Sequence, residues 1–340
     1  MQMDRASLYN LERQRMVQEP IDPSRGDWVL PFFYPPFFAV ALVPLAWLPF
    51  STAFVVMTLI NLALLASAIT LLVRKLELSR RQCRWLLLAT FCNYGVHYAF
   101  LEAQTSFIAL FCLAVFVTAL NDSAANKAGV WSSLLSFKPQ LALVPLFIML
   151  VRRKWRALGV AAIIMGLFAL ISFAAIGREG ISHYLLLSRR AMAGDEHLHI
   201  QPEGMHNLRA LTYFFFSAPW RDYVWWLTTL SAMALIVLHS VPREPPGIIS
   251  ITGWISILVV MILVAPHLHS HDLTLLIVPS AFFLKRLGDT VPPFISLMLV
   301  ALGILPLINT VAYPHLPPLL PLVLVIFLII ELGRTRTPAL

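Results

Sequence analysis

Three histidines and an aspartate lie within six residues of this sequence, in the segment Pro266-His267-Leu268-His269-Ser270-His271-Asp272. Imidazole titrates near neutral pH, so the segment suits a general base or a substrate-binding site, and its side chains are also potential metal ligands. In a helix His267 and His271 would share one face while His269 pointed away, so metal ligation by all three histidines requires a loop. Ordinary solvation at a membrane interface is the remaining interpretation.

Two further charged groups lie where apolar sequence surrounds them. Glu102 and Gln104 belong to a short polar turn between two apolar runs, and Lys138 lies inside another apolar run. A charge at the centre of a bilayer costs about 2.5–3.5 kcal/mol on insertion scales, so each group needs a partner, a wet cavity or an interfacial position. We predict all three as substrate-binding residues, with an interfacial turn and a structural ion pair as the alternatives.

Polar residues elsewhere in the chain add candidates for recognition of phosphate and sugar. The segment 177–219 is long and polar, and long loops in compact proteins tend to be functional or disordered. Within it Arg189 and Arg190 suit a phosphate, and His206-Asn207 suits a sugar, although a solvated loop is the simpler interpretation. Tyr34, in Phe33-Tyr34-Pro35-Pro36, is a further candidate, but proline at this position also fits a plain helix start.

The elements that carry these residues are hydrophobic helices. Of 340 residues, 59% are hydrophobic and 12% are charged, against about a quarter charged in soluble domains. Many apolar runs approach or reach the roughly 20 residues that a helix needs to cross hydrocarbon. They lack the alternation typical of barrel strands, and lipid leaves no other way to pair the backbone. The sequence predicts an all-α, polytopic transmembrane bundle.

Basic clusters between the apolar runs orient the bundle. They lie at residues 74–84, 152–156, 285–286 and 334–336, which the positive-inside rule assigns to the cytoplasmic side. The net charge of +8 is therefore interpreted as a topology signal rather than as a nucleic-acid surface. We predict nine crossings and two broken or re-entrant helices, each of which contains a proline. The crossings cover residues 52–73, 85–101, 105–120, 155–176, 220–239, 248–265, 272–284, 291–312 and 318–332. Residues 36–50 are predicted as a juxtamembrane or re-entrant helix on the outer side, and residues 129–151 as a broken hairpin on the inner side.

This topology divides the chain into an outer polar segment, 1–32, a transmembrane domain, 33–333, and a cytoplasmic tail, 334–340. The transmembrane domain carries the outer loop 177–219. Residues 1–32 contain no signal peptide and no apolar span that could carry them across the bilayer. We therefore expect a further helix upstream of Met1.

Several short motifs, taken in order, resemble the glycosyltransferase-C superfamily, and within it the bacterial polyprenol-phosphate-mannose-dependent mannosyltransferases of glycosyltransferase family 87. The resemblance covers nearly the whole chain from Leu8. Its matching stretches are Ala6-Ser7-Leu8-Tyr9, Phe33-Tyr34-Pro35-Pro36, Pro44-Leu45, Leu48-Pro49, Gln104-Thr105, Ser136-Phe137-Lys138-Pro139-Gln140, Arg152-Arg153-Lys154-Trp155, His206-Asn207, Pro266-His267-Leu268 and Asp272-Leu273.

The resemblance implies an integral enzyme of the bacterial cytoplasmic membrane whose active site faces away from the cytoplasm. Such an enzyme transfers a sugar, here a hexose such as mannose, from a polyprenyl-phosphate carrier to a lipid or glycan acceptor. Inverting transfer needs a base for the acceptor hydroxyl and cations for the leaving phosphate. We expect Asp272 or His271 as the base, Lys138 with Arg189 or Arg190 near the phosphate, and no cofactor, with a divalent metal as an open possibility. His267 and His269 complete the predicted substrate-binding set.

One departure from the family pattern concerns the acid of the first outer loop. Relatives carry it about two dozen residues before the Leu-Tyr element, whereas Leu8-Tyr9 here lies close to Met1 and Asp4 is too near to replace it. The sequence therefore leaves open a shortened chain, an inactive subunit, or an enzyme in which His271 and Asp272 supply the base. A lipid-linked sugar transporter or flippase is the competing function, because broken helices with buried polar groups also mark transport pathways.

Overall fold

The computed structural model describes residues 5–21, 29–193, 198, 204–240, 249–289, 293–312 and 316–334. Within these ranges the chain is helical and has no β-strand, which confirms the predicted all-α class. Asp4 and residues 335–340 of the predicted tail lie outside the described residues.

The described chain contains fifteen α-helices and three 3₁₀ helices, and it divides into two compact units. One unit comprises residues 1–53 and 162–201, and the other comprises residues 54–161 and 202–340. The α-helices are α1 Leu11–Gln18, α2 Pro36–Ala46, α3 Phe50–Lys75, α4 Arg80–Cys92, α5 Tyr94–Leu101, α6 Ser106–Asn121, α7 Ala125–Leu134, α8 Pro139–Val151, α9 Trp155–Met192, α10 Leu208–Phe215, α11 Trp220–Ser240, α12 Ile251–Val264, α13 Ile277–Leu287, α14 Pro293–Ala312 and α15 Leu319–Arg334; the 3₁₀ helices are Arg5–Tyr9, Leu135–Phe137 and Ser270–Leu276.

Two helices, α3 and α9, are long and apolar enough to cross a bilayer. They have 26 and 38 residues. In the most apolar 18-residue stretch of each helix, only 28% and 17%, respectively, is buried inside the protein. Leu59 on α3 and Leu170 on α9 are examples of large apolar side chains that remain exposed. A continuous apolar surface of this kind is stable in lipid rather than in water. The chain is therefore a helical membrane protein, and the count of nine crossings stays a prediction.

The apolar run predicted as one crossing over 85–101 contains a break that the sequence analysis missed. Asn93 has an extended backbone, with φ −72° and ψ 110°, and it separates α4 from α5. Its Oδ1 accepts a hydrogen bond from Gly95 N at 2.8 Å, which caps the start of α5. By contrast, the structure has the predicted break at Lys138-Pro139, where proline keeps Lys138 out of the helical region.

The segment 177–219, treated as a loop in the sequence analysis, is largely helical where it is described. The range of α9 has a kink at Gly177, after which a second helical stretch extends to Met192, and α10 covers Leu208–Phe215. At Gly177 the backbone has φ 67° and ψ −174°, a conformation essentially restricted to glycine. Polar composition concealed the helix because only the apolar half of α9 carries a membrane signal.

In the unit of residues 54–161 and 202–340, the core consists of helices buried on all sides. Nearly every side chain of α6 is buried, and so are those of α12 from Gly253 to Val264. Helices that are apolar all round have no wet face, so they pack inside a bundle. The fully buried Trp254 donates its indole N–H to Asn121 Oδ1 at 2.8 Å, which satisfies the polar atom of this large side chain.

In the unit of residues 1–53 and 162–201, aromatic contacts join the N-terminal segment to α9. The rings of Phe37 and Phe168 stack at 4.2 Å, and Phe37 N donates to Ser172 Oγ at 3.1 Å. Nearer the N-terminus the Tyr9 ring packs 5.0 Å from that of Tyr184. These contacts fix α2 against the part of α9 before the kink at Gly177, and the 3₁₀ helix against the part after it.

Close packing at Gly95 gives a testable prediction for stability. A Cβ at this position would lie 2.5 Å from Ser270 O and 2.8 Å from Leu273 Cβ. We expect Gly95→Ala to destabilise the protein by about 1–3 kcal/mol, as overpacking of a rigid core does. The measurement is the thermal unfolding midpoint in detergent. Gly159→Ala is the control, since a Cβ there meets nothing within 4 Å, and an equal midpoint for both variants would contradict the prediction.

Candidate active site

A buried ion pair forms the centre of the candidate site. Lys138 Nζ donates to Asp272 Oδ1, and the two side chains are only 5% and 3% exposed. Ser106 Oγ donates to the same carboxylate oxygen at 2.8 Å and accepts from Lys138 Nζ at 3.2 Å. Each charge therefore has a charged partner and a hydroxyl inside the protein, as buried charges require.

Three breaks between helices bring these groups together. Lys138 lies between a 3₁₀ helix and α8, Ser106 begins α6, and Asp272 belongs to the 3₁₀ helix Ser270–Leu276. The amide of Asn93, at the fourth break, donates to Leu273 O at 3.0 Å and anchors that 3₁₀ helix. Irregular backbone inside a membrane bundle is tolerated where its polar groups are paired, and here those pairs position the site.

His271 lies between two carboxylates. Its Nε2 is 3.7 Å from Asp272 Oδ2, and its Nδ1 is 3.7 Å from Glu102 Oε2. The imidazole is 14% exposed and the Glu102 side chain 38%, whereas Asp272 is buried. The row Asp272, His271, Glu102 thus runs from the protein interior to a solvated end. The row therefore places the imidazole between two groups that can accept a hydrogen bond from it.

Neighbours hold Glu102 in place. Gln104 Nε2 donates to Glu102 Oε2 at 3.1 Å, and Tyr98 also hydrogen-bonds the carboxylate. Burial raises the pKa of Glu102, but the nearby His271 imidazole and a hydrogen bond from Tyr98 outweigh it and lower the pKa below its usual value. The carboxylate is therefore ionised at neutral pH. The Gln104 backbone is fixed in turn, because Asn61 Nδ2 donates to its carbonyl at 2.9 Å.

The His206-Asn207 pair holds the histidine-rich segment from the other side. His206 N donates to Leu268 O at 3.1 Å, and His206 Nε2 lies 3.1 Å from Ser270 Oγ. Asn207 is fully buried, donates to Ala265 O at 2.7 Å and accepts from Ala210 N at 2.9 Å, which caps α10. Both polar atoms of Asn207 are thus engaged within the protein, which favours a positioning role over the predicted sugar contact.

Arg209 is a polar residue of this region that the predicted site set omitted. It is 1% exposed, donates to Pro266 O at 3.4 Å, and lies 5.4 Å from the centre of the Trp225 ring. Its place two residues after Asn207 is the only sequence signal for it. The guanidinium lies near His267, where it contributes to a lowered imidazole pKa.

The structure divides the predicted site residues between the two units. The ion pair, His271, Glu102, Gln104 and the histidine-rich segment belong to the unit of residues 54–161 and 202–340, whereas Tyr34, Arg189 and Arg190 belong to the other unit. Tyr34 packs its ring against Phe32 and Phe38 and accepts the Tyr9 hydroxyl at its carbonyl. Across the described part of the chain, no three His, Cys, Asp or Glu side chains cluster as metal ligands.

Buried histidines predict acid sensitivity. Burial, helped by His269, lowers the pKa of His206 to about 4, and burial likewise lowers those of His269 to about 4 and His267 to about 3. In the unfolded chain these groups take up protons near pH 6.5. Between pH 6.5 and pH 4 the unfolded state therefore binds more protons, and stability falls as the pH falls.

We expect His206→Gln to reduce this loss of stability at acid pH. The thermal midpoint should fall less between pH 7 and pH 5 in the variant than in the wild type, because one group that resists protonation in the fold is gone. His97→Gln, at an exposed position on α5, is the control and should keep the wild-type loss. An equal fall in thermal midpoint between pH 7 and pH 5 for the wild type, His206→Gln and His97→Gln would contradict the prediction.

The fold and the site together define a helical membrane protein with a partly exposed imidazole between two carboxylates. Comparison with family models identifies it further: the glycosyltransferase family 87 model matches residues 32–266, and the chain belongs to this family. The match includes Glu102, Lys138 and His206 but ends before His271 and Asp272. No curated protein and no solved structure matched the chain.

Proposed function

We propose that the chain transfers a hexose, such as mannose, from a polyprenyl-phosphate carrier to a lipid or glycan acceptor on the non-cytoplasmic side of the bacterial cytoplasmic membrane. Membership of the family supports a membrane glycosyltransferase. The observation that carries the proposal is the row of Asp272, His271 and Glu102, which places an imidazole between two carboxylates with one end partly exposed.

In the proposed reaction His271 is the general base. The acceptor hydroxyl oxygen attacks the anomeric carbon, the bond from that carbon to the phosphate oxygen breaks, and the phosphate leaves with the electron pair. The hydroxyl proton passes to the imidazole of His271, and the resulting imidazolium is stabilised by Glu102 on one side and Asp272 on the other. The separation of 3.7 Å between Nδ1 and Glu102 Oε2 is too long for a hydrogen bond, so the imidazole nitrogen is not committed to that carboxylate.

Asp272 and Lys138 then have a supporting role. Asp272 is buried and bonded to Lys138 and Ser106 through Oδ1, which leaves Oδ2 facing His271. We therefore assign Asp272 to orienting the imidazole, and Lys138 to keeping Asp272 ionised rather than to binding phosphate. The assignment of Arg189 or Arg190 to the leaving phosphate stays a prediction.

The test is transfer of radiolabelled mannose from polyprenyl-phosphate mannose in membranes that contain the full chain. We expect label in a new lipid or glycan product, in proportion to the amount of protein. Absence of transfer across several lipid and glycan acceptors would overturn the proposal. Movement of the labelled donor across proteoliposomes, with no glycosidic bond formed, would favour the transporter instead.

A further inference from the structure

A polar cavity lies in the unit of residues 1–53 and 162–201. Its volume is about 280 Å³, and it is lined by the N-terminal helical segment and the second half of α9. Ligand pockets for small molecules generally span about 300–1,000 Å³, so this cavity suits a small headgroup rather than an extended chain. None of its lining residues takes part in the acid–base row described above.

The polar lining combines hydrogen-bond donors and acceptors. It is formed by Tyr9, Asn10, Glu12, His183 and Arg190. The Arg190 guanidinium can only donate, the Glu12 carboxylate can only accept, and His183 and Asn10 can do both. The Asn10 Oδ1 accepts from Arg13 N at 3.1 Å, so the group that Asn10 offers to a ligand is its NH₂.

The rest of the lining is apolar and comes from Leu11, Leu186 and Leu187. Leu187 is buried, whereas Leu186 is 57% exposed. Apolar walls with a few placed polar groups are typical of small-molecule sites. A sugar ring presents both kinds of surface, because its hydroxyl groups project around the ring and its C–H bonds form an apolar face.

Internal contacts hold the wall of the cavity in place. The Tyr9 hydroxyl donates to Tyr34 O at 2.7 Å, and the Tyr9 ring packs against Tyr184. Gln14 donates to Leu8 O at 2.9 Å and accepts from Phe32 N at 2.8 Å, which fixes the segment on its other side. A wall fixed in this way loses little freedom when a ligand binds.

We propose that this cavity binds a single saccharide ring as a neutral polyhydroxyl ligand. Binding of this ring does not rest on the proposed transfer reaction. The charged groups in the cavity lining favour a neutral sugar over a phosphate as the ligand. A phosphate would be attracted to Arg190 and repelled by the Glu12 carboxylate in the same cavity, whereas sugar hydroxyls can donate to Glu12 and accept from Arg190.

Saturation-transfer NMR on the full chain in nanodiscs tests the proposal. The probes are methyl α-mannoside, methyl β-glucoside and methyl β-galactoside, with inorganic phosphate followed separately by ³¹P line broadening. We expect at least one of the three polyols to bind, and Glu12→Gln to weaken that binding roughly tenfold, since a charged partner is lost. The matched control is Glu19→Gln, which changes an exposed glutamate on the same segment outside the cavity and should bind as the wild type does.

Two further variants separate binding from folding. Arg190→Gln should weaken binding to a similar extent, while the adjacent and exposed Arg189→Gln should not, because Arg189 does not line the cavity. Leu186→Trp should block binding by filling the cavity without removing a polar group. Lack of binding of every polyol, binding of phosphate alone, or polyol binding unchanged in Glu12→Gln and Leu186→Trp would each overturn the proposal. The binding measurement needs no turnover. Failure of the sugar-transfer assay would therefore contradict the proposed function without contradicting sugar binding in this cavity.

Discussion

Substitution of Asp272 by Asn is expected to destabilise the folded protein by about 3–5 kcal/mol, the usual cost of removing one member of a buried ion pair. The reason is that Lys138, whose side chain is 5% exposed, would lose the carboxylate that accepts a hydrogen bond from its ammonium. A hydroxyl such as that of Ser106 cannot replace this carboxylate, since it carries no charge. The measurement is the thermal midpoint in detergent, together with a chemical unfolding titration where the transition is reversible.

The exposed pair of Lys75 and Asp122 provides the matched control. Its atoms are 2.5 Å apart, but the side chains are 45% and 47% exposed. Asp122→Asn should therefore cost less than about 1 kcal/mol. The double variant Lys138→Met, Asp272→Asn should recover most of the stability lost in Asp272→Asn, because no uncompensated charge remains. Equal losses for Asp272→Asn and Asp122→Asn would contradict the structural interpretation of the buried pair.

Replacement of His271 by Gln is expected to lower the rate of sugar transfer by about 10²–10⁴-fold, the range typical for loss of a general base. The fold should survive, because His271 is partly exposed and its nearest charged atoms are 3.7 Å away. Loss should fall on kcat more than on KM, since the imidazole acts on the acceptor proton as the bond forms. Initial rates over a range of donor concentrations provide the measurement.

His97→Gln is the control for this prediction, as it changes an exposed histidine outside the row. Its transfer rate should equal that of the wild type. Glu102→Gln should retain more activity than His271→Gln, because it removes a stabilising charge and leaves the base. If His271→Gln retained the full rate while Glu102→Gln lost it, the base would be Glu102 and the assigned order of roles would be wrong.

The sequence predicted the helical class and most of the long elements because their apolar runs are uninterrupted. It predicted the break at Lys138-Pro139 because proline removes a backbone donor. It missed the break at Asn93, since nothing in an apolar run distinguishes an asparagine that caps a new helix from one that faces a neighbour. The helical second half of α9 was missed because polar helices leave no hydropathy signal.

Some residues of the candidate site could likewise be predicted from the sequence, and others could not. Residues close in sequence, such as His271 and Asp272, could be grouped from spacing alone. The partnership of Lys138 with Asp272 spans 134 residues and depends on how three helix breaks pack, which the spacing does not encode. Ser106 was missed for the same reason, whereas Tyr98 lies one helical turn before Glu102 and could have been found from helical spacing. Short hydroxyl side chains are common at helix starts, and only tertiary structure shows which of them contacts a buried charge.

The long separation within the buried pair bears on how the protein is made. Lys138 leaves the ribosome 134 residues before Asp272, roughly 7–27 s earlier at synthesis rates of about 5–20 residues per second. During that interval the hairpin of α7 and α8 holds an ammonium whose counter-charge has not been synthesised. The ion pair of Lys138 can therefore form only after Asp272, in the last third of the chain, has been synthesised. Ribosome-bound nascent chains halted before Asp272 should leave Lys138 reachable by an amine-reactive reagent, and chains released after Leu340 should protect it.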